Sequence, residues 1–75
     1  MTIQDAVEKV NSGDREVMVD FSGVARIDGN AVTALEDLAA RADEKSAAVV
    51  LRAVNVDIYR VLKQLKLAHR FRFLT

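Results

Sequence analysis

Val19-Asp20-Phe21-Ser22-Gly23-Val24-Ala25-Arg26-Ile27-Asp28-Gly29-Asn30-Ala31 decides the fold, because an apolar strand runs here through a short turn into a polar helix start. Upstream, Val17, Val19 and Phe21 alternate with Met18 and Asp20, the two-residue period of a strand over residues 16–22. Gly23 breaks that strand. Downstream, Ala34, Leu35, Leu38, Ala39 and Ala42 form an apolar stripe, while Glu36, Asp37, Arg41, Asp43 and Glu44 take the other sides. The spacing predicts a helix from Ala31 to about Lys45, with Asp28-Gly29-Asn30 at its start.

The same reasoning orders the rest of the chain. Ile3, Ala6, Val7 and Val10 recur at three- and four-residue steps and predict a helix over residues 2–12. Thr2 with Asp5 resembles a capping box, and Gly13 can close the helix in the left-handed conformation. Ala47 to Leu51 is apolar without alternation, as expected of a central strand covered on both faces. Asn55 then caps a third helix with Ile58, Val61, Leu62 and Leu65 inward and Arg60, Lys63 and Lys66 outward or toward its end. Phe71 to Leu74 alternates and is short, which suits an edge strand.

The order helix, strand, helix, strand, helix, strand predicts an α/β domain with a mainly parallel three-stranded sheet and three helices. Crossovers of one hand in consecutive strand order put both later helices on one face, which leaves the first helix to cover the other. Seventy-five residues without proline or cysteine fit a single domain over residues 1–75 with a small core. Chains of this size bury only about 60% of the surface their unfolded form exposes, so homo-oligomerisation is expected. The absence of cysteine, of a leader-like start and of a long apolar segment points to the cytoplasm.

Charge is balanced in total and uneven along the chain. Residues 1–44 hold ten acids and four bases, whereas residues 45–75 hold one acid and seven bases. Such a split reads as a nucleic-acid or anionic-lipid patch, as a dipole that steers self-association, or as ordinary solvated faces. Nucleic acid is disfavoured, since Phe71 and Phe73 share one strand face as core residues and supply no stacking platform for the bases Arg52, Arg60, Lys63, Lys66, Arg70 and Arg72.

The stretch quoted above resembles the signature of STAS domains, the anti-sigma-factor-antagonist and sulfate-transporter family, which runs apolar-Asp-apolar-Ser-x-Val and then apolar-Asp-Ser-Ser-Gly. Asp20, Ser22, Val24, Ile27 and Asp28 match it. The family's phosphorylatable serine, two places after the second aspartate, is Asn30 here, and Gly29 and Ala31 stand in for the neighbouring Ser and Gly. The resemblance extends through nearly the whole chain, since Tyr59-Arg60-Val61-Leu62, Leu67 and Phe71 look like the family's closing helix and the turn into its last strand. STAS domains usually open with two strands before their first helix, and this chain starts at that helix, so the resemblance implies a bare sheet edge.

For function, the resemblance implies a protein-binding module docking through Asp28, Gly29, Asn30, Ala31, Thr33, Ala34 and Asp37. The implied partner is of the anti-sigma or kinase type, and the site is not switchable, because Asn30 keeps a serine's polarity without its hydroxyl. The alternative it implies is a cytoplasmic STAS accessory subunit of a membrane transport complex. Ser22 is expected to bond local backbone, and Thr33 to sit within the first helical turn. Enzyme activity, a metal and a cofactor are not expected. Asp20 and Asp28 could pair as acid and base, yet nothing assembles around them, and the one histidine, His69, reads as a surface residue.

Overall fold

The computed structural model describes residues 3–74. Its elements are α1 (Ile3–Asn11), β1 (Glu16–Asp20), α2 (Gly29–Lys45), β2 (Ala48–Arg52), α3 (Val56–Gln64), a 3-10 turn (Ala68–Arg70) and β3 (Arg72–Leu74). The sheet has three strands in the order β1-β2-β3, all parallel, with Val19 beside Leu51 and Leu51 beside Phe73. The expected αβαβαβ architecture is what forms, with β2 in the centre.

One hydrophobic cluster holds the layers together. Val17, Val19, Val49 and Leu51 from the sheet meet Ala6, Val7 and Val10 of α1, Leu35, Leu38, Ala39 and Ala42 of α2, and Ile58 and Leu62 of α3. All three helices therefore lie on a single face. The expectation that α1 would cover the opposite face is wrong: α1 packs against α2 and β1, because the stripe Ala6, Val7, Val10 extends the same core. The opposite face carries Met18, which stays 40% exposed, and Val50, which is buried but lies outside the cluster. The unalternated run in β2 thus reflects a strand covered by helices on one face only, with Val50 in register between Met18 and Arg72.

Element ends follow local chemistry. β1 stops at Asp20, before the expected residue 22, because the Asp20 carboxylate accepts the Ser22 amide at 2.8 Å and turns the chain. Phe21 still donates its amide to the Arg52 carbonyl and stays buried. Gly13 sits at φ +100°, where a side chain would be strained, and the Asp14 amide reaches the Lys9 carbonyl. Ser46, left-handed at φ 55°, closes α2 with its amide on the Ala42 and Asp43 carbonyls. Thr2, the other half of the capping box expected with Asp5, lies outside the described residues.

Two inward assignments on α3 are corrected. Val61 and Leu65 are 36% and 49% exposed, since a nine-residue helix turns only Ile58 and Leu62, four apart, fully into the core. Leu67 fills the space expected of Leu65, its amide bonded to the Leu62 carbonyl at 2.8 Å.

Candidate docking site at the start of the second helix

The loop from Phe21 to Asp28 carries the signature residues and is pinned along its length. At its near end, the Ser22 amide and hydroxyl, followed by the Arg52 guanidinium 3.4 Å away, hold the Asp20 carboxyl below its ordinary value. Gly23 takes φ +80°, and the Val24 amide bonds the Phe21 carbonyl at 3.0 Å. Ile27, half-buried, packs against the core.

Asn55 supplies the middle clamp. Its side-chain oxygen accepts the Ile58 amide at 2.8 Å, capping α3, while its nitrogen donates to the Val24 and Ala25 carbonyls at 3.1 and 2.9 Å. One half-buried amide group thereby ties two segments thirty residues apart. The cap was legible in the sequence. The clasp was not, because nothing local marks Val24 and Ala25 as acceptors.

At its far end the loop enters α2 two residues earlier than Ala31, at Gly29, because Asp28 is an extended N-cap whose carboxylate accepts the Ala31 amide at 2.8 Å. The Asp28 carbonyl takes the Val32 amide, and the Thr33 hydroxyl donates to the Gly29 carbonyl at 3.0 Å. The amides of Gly29 and Asn30 make no hydrogen bond among the described residues. A Cβ added at Gly29 would meet nothing within 4 Å, so the turn stands in open space.

Of the residues expected at the site, Asp28, Gly29, Asn30, Thr33 and Asp37 are exposed, and Ala31 and Ala34 are half-buried at the edge of the apolar stripe. Asn30, Thr33 and Asp37, at steps of three and four, share one helix face. On another side of the helix start, bordered by Asp28 and Ala31 but not by Asn30, Thr33 or Asp37, opens a cleft of about 350 Å³ whose apolar wall includes Ile3, Phe21, Val24, Ile27 and Ala31, with Asp20, Arg26 and Asp28 at its polar rim. The negative charge at this surface is partly spent. Asp37 pairs with Arg41 at 3.0 Å, and Arg41 also reaches Asn11 on α1 at 3.3 Å.

A second surface lies around α3 and β3. Val56, Tyr59, Leu65 and Leu74 are exposed there, Tyr59 meets Phe73 edge to face at 5.1 Å, and Lys63, Lys66 and His69 border the adjoining hollow. Phe71 is buried and Phe73 is half-buried and packed edge to face with Tyr59, so neither ring is free as a platform. Among the described residues no His, Asp and Glu side chains converge as a metal-binding group, and no helix is long and apolar enough to cross a membrane.

Compared with known proteins, the chain matches the family model described as "Mlab, STAS domain" over residues 1–75. No curated protein and no solved structure gives a significant match.

Proposed function

Since the chain belongs to the STAS domain family, we propose that it acts without catalysis, as a protein-interaction module of the anti-sigma-factor-antagonist type that docks through the start of α2. The observation that carries this reading is the shape of that start. Asp28 uses its carboxylate for the cap and, with Ala31, borders an apolar cleft, while Gly29, Asn30, Thr33 and Asp37 stand exposed on the helix that follows a loop held at three points. A rigid turn next to apolar surface loses little conformational entropy when a partner covers it.

The same turn argues for a contact that phosphorylation does not switch. Asn30 has no hydroxyl, and that of Thr33, a turn further along, is engaged by the Gly29 carbonyl. A permanent contact also favours a second reading, an accessory subunit of a membrane transport complex, because a subunit that stays bound needs no acceptor.

Hydrogen exchange on the complex with a partner captured from the source cells tests the site. Protection is expected over residues 26–37, and protection confined to residues 59–70 would refute it. The captured partner separates the two readings: a sigma-factor regulator or kinase supports the first, a transport-complex subunit the second.

A further inference from the structure

The charge split along the chain becomes a split across the sheet once the strands lie side by side. On the face without helices, β1 contributes Glu16 and Asp20, whereas β2 contributes Arg52 and β3 contributes Arg72. Met18, Val50 and Leu74 lie between these charges. Asp20 and Arg52 neutralise each other at 3.4 Å, while Glu16 and Arg72 take part in no ion pair among the described residues.

A face that is acidic along one edge, basic toward the other, and apolar in its centre apart from the neutralised Arg52 is complementary to itself. Turning a second copy by a half-rotation about an axis along β2 lays its β3 over the first copy's β1, and the reverse. Arg72 then comes down on Met18 of the other copy, in register between Glu16 and Asp20, with its stem on the thioether and its guanidinium in reach of a carboxylate. Val50 meets Val50. An axis across the strands would instead put β1 on β1, acid against acid, so charge selects the first arrangement.

We propose that this bare face is a self-association surface on which two copies pack sheet to sheet, β1 of each over β3 of the other. The contact is weak. Three strands at the usual spacing, two of five residues and one of three, present a patch of at most about 15 by 17 Å, well under the ~800 Å² per partner of a stable complex. Association is therefore reversible, concentration-dependent and sensitive to salt. The surface is separate from the α2 start, and the proposal does not rest on the function assigned to that start.

Sedimentation velocity on the full chain at about 5 to 500 μM, in about 50 mM and 500 mM salt, tests it. A concentration-dependent rise from 8.3 kDa toward twice that mass is expected at low salt, weakened at high salt. Glu16→Arg and Arg72→Glu should each weaken association about tenfold, and an equimolar mixture of the two variants should restore it to within about threefold, since each then supplies the charge the other lost. Gly29→Arg should leave it unchanged. A chain that stays monomeric throughout, a dimer indifferent to both single substitutions or lost with Gly29→Arg, or a mixture no tighter than its components would overturn the proposal. Restored association in the mixture also shows that both variants fold.

Discussion

Asp28 and Asn55 each cap a crossover helix by accepting an amide three residues on, at the same 2.8 Å, yet only one of them does anything else. Asp28 is exposed and its bond is local. Asn55 is half-buried and uses its nitrogen to grip the loop that leads to Asp28. An aspartate could not fill the second role, because the Val24 and Ala25 carbonyls require donors and a carboxylate has none. The comparison teaches that the open turn at the α2 start owes its shape to the closed one at the α3 start. Accessibility and rigidity are supplied by different residues.

Breaking the clasp should have the largest effect. Asn55→Ala removes a cap, worth about 1 kcal/mol, and two donors to carbonyls, so urea unfolding should show a loss of about 2–3 kcal/mol. Asn55→Asp keeps the cap and loses only the grip, and should fall between that value and zero. Asp28→Ala should cost about 1 kcal/mol, with Asp28→Asn close to wild type, because only a local bond is at stake. Equal losses for Asn55→Ala and Asp28→Ala would mean that the clasp contributes nothing.

Acid sharpens the picture at the near end of the same loop. The folded-state pKa of Asp20 is lowered beneath its usual 3.8 by the Ser22 amide and hydroxyl and by Arg52. Its contribution to stability is therefore present above pH 3.8 and is lost as pH falls through the lowered value. Asp20→Asn should flatten that part of the acid-unfolding curve and leave the curve near neutral pH parallel to wild type. An acid limb of unchanged slope would show that Ser22 turns the chain without favouring the charged carboxylate.

The smallest change in stability is expected at the turn itself. Asn30→Ser, exposed and without a partner side chain, should stay within about 0.5 kcal/mol of wild type while creating the hydroxyl the turn lacks. Intact-mass measurement after incubation with a STAS-partner kinase should show a phosphate on the variant and none on the natural sequence. A phosphate on Thr33 of the natural chain would show that its bond to the Gly29 carbonyl gives no protection.

Periodicity made most of the fold legible, because Val17, Val19, Leu35, Leu38, Ile58 and Leu62 sit where their spacing places them. It failed where burial depends on what lies across the molecule. A run such as Ala48-Val49-Val50-Leu51 reads alike whether its second face meets a helix or solvent, so the bare face was invisible until α1 was seen beside α2. Leu65 is exposed and Leu67 buried for a similar reason, since the turn that ends α3 decides which of them faces inward. At the site, Asp28-Gly29-Asn30 was readable as a helix start, with its bounds off by two residues. The grip of Asn55 on Val24 and Ala25 joins segments thirty residues apart, and no local pattern encodes such a bond.

The central claim is that a partner reads the α2 start, and the most direct measurement compares its affinity for two variants. Gly29→Arg places a long side chain where a Cβ meets no neighbour within 4 Å, so it should obstruct the approach without disturbing the core. Lys63→Glu reverses a charge on the exposed face of α3, beside Tyr59 and Phe73. Titration of the captured partner should show a loss of at least about tenfold for the first, or 1.4 kcal/mol, and no more than about twofold for the second. Affinity that survives Gly29→Arg and falls with Lys63→Glu would place recognition on the basic surface of α3 and β3 and contradict the account.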